Sequence, residues 1–541
     1  MATIASRAGP RRPTSPSDSA RSTVRNSATV AVFTLVSRVT GLVRVVVVGA
    51  VLGPTFLSNV FLAANSVPNL TYSVVAGPVL ALVVVPTIVR TVLERGEAAC
   101  VVVLRRLSGV LIVASTVGAM VLLVLSPAIA WTLTVGIADA GQRGRAQLVT
   151  IILLVLVAPQ VVLYTVAALG AAAQQARERF VLASAAPALE NVGLVVVMGL
   201  VAILHPRGMD VDDAPVDVAV LLGAGATAAV AAHAAVQVIG AVRAGMSIRP
   251  ACGWRRDPAV REVVRRLRRS VAVAAFPAAS MYVLLAVAAT VRGGVLVFQT
   301  AYLVYGVPPA LGARAVTTAV LPRLSAAADA NDRIRFAEAW RRALHYAVLA
   351  GLLPLCLLVA FARPVARMLS HGGSWTQELA ASLALCIAVL AVAQLACGMH
   401  EIARQALFAH LDVTGPQRAG VASFAVTAAA GAGTLLLPDG LPRLFGLGAV
   451  VLLADCAAAT VVLRRIRWTI SPEAAVDWRL LRSAVLAGGA MLPVLGAGWL
   501  LTAEDDGRLR ELVITTSLGA LATALFVFAL AALAAHREAS L

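Results

Sequence analysis

Apolar runs of 18 or more residues recur between residues 28 and 535, separated by short charged stretches. Each run is long enough to cross roughly 30 Å of hydrocarbon as a helix. Inside a bilayer a segment must satisfy its own backbone N–H and C=O groups, so a helix is the structure such runs adopt. The composition agrees: 60% of the residues are hydrophobic and 13% charged, against roughly 45–50% and 25% in soluble domains. The chain reads as an all-α polytopic membrane protein.

Fourteen spans fit the pattern, at about 28–52, 57–89, 107–135, 146–174, 180–204, 216–242, 270–291, 295–322, 343–362, 379–403, 419–437, 444–463, 483–502 and 512–535. Charge placement tests this alternation. With Asp217 and Glu401, at span ends, counted with the adjoining loops, the tails and even-numbered loops hold 33 Arg and 14 acids, whereas the odd-numbered loops hold 9 Arg and 11 acids. One side is thus +19 and the other −2. Basic residues accumulate in cytoplasmic loops, so the basic side is expected to be the cytoplasm, with both termini there and the protein in the inner membrane. The net charge of +18 belongs to topology rather than to nucleic acid, because no basic stretch carries interleaved aromatics.

The expected organisation has five parts. Residues 1–27, rich in Ser, Pro, Thr and Arg, read as a disordered basic tail. They make a poor signal peptide, because Arg38 and Arg44 interrupt the following apolar stretch and no small-residue cleavage site follows. An N-terminal lobe of six spans (28–242) and a C-terminal lobe of six (270–463) flank a connector, 243–269, that carries nine Arg. Two further spans and a tail occupy 464–541. Two pseudo-symmetric six-helix lobes followed by two helices form a transporter-like plan, with the substrate path between lobes. The connector is either a short helix on an anionic membrane surface or a plain topogenic signal. The six cysteines form no CxxC pair, so neither a disulfide framework nor a metal site is expected.

Charges inside the spans are few and costly. Arg38 and Arg44 lie in the first span, in Ser37-Arg38-Val39-Thr40-Gly41-Leu42-Val43-Arg44. An Arg at the bilayer centre costs roughly 2.5–3.5 kcal/mol even on the lenient insertion scale. Ser37, Gly41 and Arg44 share one helical face, with Arg38 about 100° round from Ser37. That small, polar face suits a wet cavity in which guanidiniums bind the oxygens of an anionic group. Alternatively the two Arg snorkel to an interface, or pair with Glu190 or Asp455. Pro68-Asn69 is expected to break the second span, and Pro308-Pro309, followed by Arg314, to interrupt the eighth. Such paired interruptions point to a central site. Glu190 and Asp455 are candidate proton or cation coupling residues, or buried partners for Arg; His233 reads as a satisfied interior histidine. No phosphate-binding loop, nucleophile elbow or HExxH motif occurs, so no enzymatic activity and no cofactor are expected.

The stretch from Ser37 to Pro68-Asn69 resembles the N-terminal signature of the MurJ/MviN-type lipid II flippases, an S-R-x-x-G-x-x-R run followed by P-N-L. Arg179-Phe180, Ala186-Pro187, Asn191, Leu321-Pro322, Leu324-Ser325 and the segment Ala406–His410 with Asp412, Thr414 and Pro416 extend the resemblance in order along the chain. Members of this family, within the multidrug/oligosaccharidyl-lipid/polysaccharide exporter superfamily, move an undecaprenyl-pyrophosphate-linked peptidoglycan precursor between leaflets by alternating access. The resemblance implies a cationic central cavity for the head group, a groove for the lipid tail at the last two helices, and as partners a lipid-linked glycan, membrane lipids and the cell-wall synthesis machinery. Substrate contacts would then come from Arg38, Arg44, Ser37, Gly41, Pro68, Asn69 and Arg314. This chain departs from the family where charges are usual: Val45, Asn59, Tyr72, Gly77 and Tyr302-Leu303 stand at those positions. The departures leave open an exporter of another lipid-linked glycan or amphipathic substrate, or a non-transporting paralogue.

The charge partition makes one direct prediction. In a variant retaining only Cys252, within the connector, an impermeant thiol reagent should label the protein after permeabilisation and not in intact cells. Labelling of intact cells would reverse the assigned orientation.

Overall fold

The computed structural model describes residues 16–77, 84–370, 372, 375–470, 478–502 and 507–539, and every regular element among them is helical. In chain order these are α1 (Pro16–Leu52), α2 (Phe56–Val75), α3 (Val85–Thr134), α4 (Ala140–Val157), α5 (Gln160–Gln175), α6 (Phe180–Leu204) and α7 (Val216–Arg243). There follow α8 (Pro258–Ala288), α9 (Gly294–Pro308), α10 (Arg314–Asp329), α11 (Arg333–Ala360), α12 (Ala362–Leu369), α13 (Gln377–Ala409), α14 (Thr414–Thr434), α15 (Leu441–Arg465), α16 (Trp478–Leu501) and α17 (Arg508–Ala539). Side-chain caps set several starts. Thr55 and Ser58 form a capping box at α2, and Asp139, Asp257, Asp332 and Thr376 accept backbone N–H bonds at α4, α8, α11 and α13.

Eleven helical segments are long and apolar enough to cross a membrane, α4 with α5 counting as one pass. The remaining three of the fourteen expected passes fall on α2, α8 and α14. Those helices dilute their apolar residues for different reasons. The α2 helix carries Asn59, Asn65, Ser66 and Asn69, α8 begins in an Arg-rich stretch, and α14 is built largely of Ala, Gly, Ser and Thr. Lipid-facing surfaces are apolar in the usual way, with Val117, Val121 and Val124 of α3 exposed along one face.

The two lobes repeat one packing plan. In the N-terminal lobe α1 packs on α6, α6 on α7, α5 on α7, α3 on α5 and α2 on α3. In the C-terminal lobe α8 packs on α14, α14 on α15, α13 on α15, α11 on α13 and α10 on α11. The turns agree too: Glu178 after α5 and Leu411 after α13 both take positive φ, 56° and 58°. The last two helices, α16 and α17, pack on each other and on α11 and α12, around Phe361, Met491 and Phe526.

Cores are distributed unequally between the two ends. At the odd-loop end one continuous apolar cluster joins α1, α2, α4 and α7 of one lobe to α8, α9, α13 and α15 of the other. At the even-loop end there are two clusters, one per lobe, around Leu104 and Leu107 and around Phe336 and Trp340. The lobes are therefore fused at one face and separate toward the other.

Three expectations change. Residues 16–27 of the tail expected to be disordered belong to α1, while 1–15 lie outside the described residues. Of the two readings left open for the connector, a separate surface helix is not what forms. The connector's second half, from Pro258, is the start of α8, where Asp257 caps the helix and Pro258 occupies its first turn; α8 then runs through Pro277 to Ala288. Arg95 and Arg106 of α3 hold Asp257 at 3.7 and 3.1 Å, so the connector is docked on the N-terminal lobe. Finally, α2 is continuous through Pro68.

Without a hydrophobic force between helices in lipid, close backbone approach and hydrogen bonds hold such bundles. The α5–α7 contact shows how. A Cβ at Gly170 would lie 2.6 Å from the carbonyl of Gln237, one at Gly240 would overlap Gln174, and Gln174 Nε2 donates to Gln237 Oε1 at 2.7 Å. Gly240→Leu is expected to destabilise the detergent-solubilised protein by about 1–3 kcal/mol through overpacking. Gly199→Ala, with nothing within 4 Å of its Cβ, should be neutral or stabilising. Thermal unfolding of both variants checks the contrast.

Candidate functional site

Between the lobes lies a cavity of about 270 Å³ walled by α1, α2, α5, α6, α8 and α9. From α1 comes Arg44, and from α2 one face carrying Asn65, Ser66 and Asn69. The opposite wall, from α9, is Phe298, Gln299, Tyr302 and Leu303. Amides tie the walls together: Gln299 Nε2 donates to Ser66 Oγ at 3.0 Å, and Gln160 Nε2 reaches Asn65 Oδ1 at 3.4 Å and Thr227 Oγ1 at 3.1 Å.

Arg44 and Glu190 are the charged members of this lining. Glu190 is engaged elsewhere: Tyr164 Oη donates to its Oε1 at 2.9 Å, and His233 Nδ1 lies 3.4 Å from its Oε2. The acid is thus held by α5 and α7, and the Arg44 guanidinium faces the cavity beside it. A wall of one cation, one engaged carboxylate, three side-chain amides, a hydroxyl and tilted aromatic rings can bind an anionic group together with sugar hydroxyls.

A second cavity, about 160 Å³, lies inside the C-terminal lobe and shares Met281 and Tyr302 with the first. Asp455 lines it and accepts a hydrogen bond from Tyr305 Oη at 2.6 Å. Phe298, Tyr302 and Tyr305 stand in succession along α9, with centroid separations of 5.7 and 4.9 Å, and form the partition between the two cavities. A larger cavity, about 740 Å³, lies at the odd-loop end between α12–α13 and α16–α17. Ala380, Ala381, Ala384 and Ala388 leave its room, and Arg363 covers the face of Trp499.

The residues singled out from the sequence divide accordingly. Arg44, Asn69 and Glu190 meet in the central cavity. Ser37 and Gly41 face α6 instead, where Asn191 Nδ2 donates to Ser37 O and Thr40 Oγ1, both at 3.2 Å, and lies 3.6 Å from a Cβ at Gly41. Arg38 is half-buried up to two turns from Arg44 and outside the cavity wall. Pro68 is buried within α2, and its neighbour Asn69 lines the cavity. The eighth span is interrupted as expected: α9 ends at Pro308, a π-turn covers Pro309–Ala313 and Arg314 begins α10. The Arg314 side chain lies outside the described residues. Asp412 and Thr414 shape the α13–α14 corner. Burial alone would raise the Asp412 carboxyl, but hydrogen bonds from Arg465 and Thr414 outweigh it and hold the group below its usual range.

Sequence reasoning missed Asn65, Tyr164, Gln299 and Tyr305. Rarity is a signal that could have found the tyrosines: the chain has six Tyr, and Tyr72, Tyr164, Tyr282, Tyr302 and Tyr305 all lie within apolar helices. The neutral residues Val45, Tyr302 and Leu303, read as departures from a charged pattern, do line the cavity. Its described lining therefore carries one Arg and one Glu, not the strongly cationic set that the resemblance implied.

The odd-loop face is closed by a seal between lobes. Asn59 of α2, 1% exposed, donates through Nδ2 to the carbonyls of Val291 at 2.7 Å and Ala289 at 3.3 Å, and accepts from Val295 N at 3.0 Å. Gly293, at φ 71°, lets that loop approach Pro54 where a Cβ would overlap it. Arg292 pairs with Asp210 at 2.8 Å, and Asp210 also accepts from Phe56 N at 3.0 Å.

Two pseudo-symmetric helical lobes around a polar cavity, fused at one face and separate toward the other, define a membrane protein of the transporter class. A family model for the lipid II flippase MurJ matches residues 48–503, and the chain belongs to that family. The match begins beyond Arg38 and Arg44, so membership stands independently of that pair. In fold the chain is similar to a lipid II flippase MurJ in an inward closed conformation, at 15% identity and TM-score 0.70, covering 92% of this chain and 98% of that one. It is also similar to an inward-facing multidrug resistance MATE family transporter of the MOP superfamily (16% identity, TM-score 0.60, 81% and 95% covered). A variant of the Vibrio cholerae MATE transporter VcmN aligns at 14% identity and TM-score 0.54, with 83% and 98% covered.

The seal predicts a specific phenotype. Asn59→Ala removes three buried hydrogen bonds, each worth about 0.5–1.5 kcal/mol net. The variant should unfold at lower temperature, and a reporter Ser66→Cys, in a background lacking the native cysteines, should become more accessible to impermeant reagent from the odd-loop side. Unchanged accessibility would place the closing interaction elsewhere.

Proposed function

We infer that the chain translocates an undecaprenyl-pyrophosphate-linked peptidoglycan precursor across the cytoplasmic membrane by alternating access. The observation that carries this reading is Arg44, facing a cavity between lobes that are separate toward the basic, even-loop side and fused at the other. With the termini and the even-numbered loops in the cytoplasm, the cavity receives its cargo from the inner leaflet. The Arg44 guanidinium takes the phosphate oxygens bidentately, and Arg38, outside the cavity wall on the same helix, is a candidate donor on the way in. Asn65, Ser66, Asn69 and Gln299 receive the sugar hydroxyls. The lipid tail remains in hydrocarbon beside the lobes, and the α16–α17 pair offers it a surface. Translocation then requires the Asn59 seal to part while the even-loop ends close.

Glu190 and Asp455 are candidate coupling groups, one per lobe and each hydrogen-bonded to a tyrosine. A carboxylate beside an arriving pyrophosphate raises the local negative charge. Proton uptake by either acid would relieve that repulsion. Partners follow from the reading: the lipid-linked glycan, membrane lipids and the machinery that makes and uses the precursor.

A second reading has its own observation. Val45, Tyr302 and Leu303 make the wall less charged and more aromatic than a pyrophosphate alone calls for. That favours another lipid-linked glycan, with a single phosphate or a larger sugar face. Complementation of a strain depleted of its lipid II flippase separates the two, since rescue at ordinary expression supports the first and failure with intact insertion supports the second.

Loss of a hydrogen bond to a charged group costs about 1.5–3 kcal/mol, which is roughly ten- to a hundredfold in binding. Arg44→Ala should therefore weaken head-group binding by that factor and cut transport sharply while the protein remains inserted and abundant, and Arg44→Lys should rescue poorly. Normal transport by both Arg38→Ala and Arg44→Ala would move the head-group site elsewhere.

A further inference from the structure

A pocket of about 480 Å³ opens between α10 and α11 at the even-loop end of the C-terminal lobe, away from the central cavity. Arg323, Arg335 and Arg342, all exposed, line it together with one acid, Glu338. Arg335 is shared with Asp332 at 3.3 Å, whereas Arg323 and Arg342 form no ion pair among the described residues.

The order of residues along the two helices gives the pocket a direction. Val320 and the exposed ring of Tyr346 line its inner end, where the apolar spans 295–322 and 343–362 meet the interface. Arg323 and Arg342 come next, one residue outside one span and one residue before the other. Arg335 and Glu338 lie farther out, toward water. Alanines, including Ala326 and Ala330, keep the groove open. The pocket is firmly built from beneath, because Leu324, Phe336, Trp340 and Leu344 of the same two helices belong to a buried cluster. A gradient from apolar to cationic to aqueous over one helical hairpin fits an amphiphile lying in the membrane, with its phosphate at the level of Arg323 and Arg342. A soluble anion would gain nothing from the apolar end.

We propose that the α10–α11 pocket binds the head group of an anionic phospholipid of the adjoining leaflet. Arg323 and Arg342 clamp its phosphate from the two helices, each able to present two N–H donors to the oxygens. The acyl chains run past Val320 and Tyr346 into hydrocarbon. Such a lipid braces α10 against α11. Through the π-turn Pro309–Ala313 it bears on α9, which carries Phe298, Gln299 and Tyr302 of the cavity wall. The site stands whichever substrate the central cavity carries.

The test is native mass spectrometry of the full-length protein in detergent, titrated with phosphatidylglycerol or with phosphatidylcholine, which reads retained lipid irrespective of orientation. The wild type is expected to retain one phosphatidylglycerol at concentrations at least tenfold below those needed for phosphatidylcholine. Arg323→Gln with Arg342→Gln should erase that preference, Glu338→Gln should sharpen it severalfold, and Arg44→Ala should leave it intact. Ala326→Leu, which fills the groove and keeps every charge, should also lose the tight lipid, and it decides the matter if the double variant does not fold. Equal retention of the two lipids by the wild type, or an undiminished preference in Ala326→Leu, overturns the proposal. So does mole-for-mole displacement of phosphatidylglycerol by millimolar inorganic phosphate, which would make the pocket a soluble-anion site.

Discussion

Everything else in this molecule depends on the fusion of the two lobes at one face. In a bilayer the lipid competes for apolar contacts, so apolar burial alone does not press one lobe against another. The fusion relies instead on close packing and on polar contacts deep within it. Asn59 supplies the polar part by bonding three backbone groups of the α8–α9 turn, and Gly293 supplies the close part against Pro54. Around them one apolar cluster spans both lobes. Because the matching clusters at the other end are separate, the lobes diverge there and a cavity must form between them.

The chemistry of that cavity follows from which helices its position recruits. Those least apolar overall supply much of its wall. The α2 helix turns Asn65, Ser66 and Asn69 toward it, and α9 contributes Gln299 and Tyr302. A buried guanidinium is tolerable only where water, a counter-ion or a ligand reaches it. Glu190 is already bonded to Tyr164 and His233, so it acts as a neighbour to Arg44 without capping it. The same arrangement explains how a chain that lacks the usual charges at Val45, Tyr302 and Leu303 keeps a polar, hydrogen-bonding interior.

Pseudo-symmetry accounts for the plan and its breaches account for the particulars. Five helix–helix contacts recur between the lobes. The breaches lie at α8 and the eighth pass. Asp257, held by Arg95 and Arg106, anchors the start of α8 on the N-terminal lobe, although the rest of that helix serves the other one. The eighth pass is divided by a π-turn at Pro309–Ala313, which lets α9 face the cavity while α10 leans on α11. The corresponding Pro68 leaves α2 unbroken. Pro68 removes one donor and Pro308-Pro309 remove two, and the surrounding packing decides whether the helix absorbs the loss or reorganises.

Hydrophobic run length and the placement of arginine were enough to determine the helical class, the number of passes and the two-lobe plan. Those properties belong to each segment's own transfer into hydrocarbon and need no tertiary partner. The charges within spans likewise marked Arg44 and Glu190 as interior groups, because an isolated ion is costly in lipid wherever it sits. Helix rotation and pairing across lobes were decided only by the tertiary structure. Ser37 and Gly41 share the Arg44 face on an ideal wheel, yet Asn191 of α6 claims them. The tyrosine bonds of Glu190 and Asp455, and the reach of Asn59 across to Val291, join residues 26, 150 and 232 positions apart. No periodicity along one helix reports such contacts, because they arise when two independently stable helices choose which faces to bury against each other.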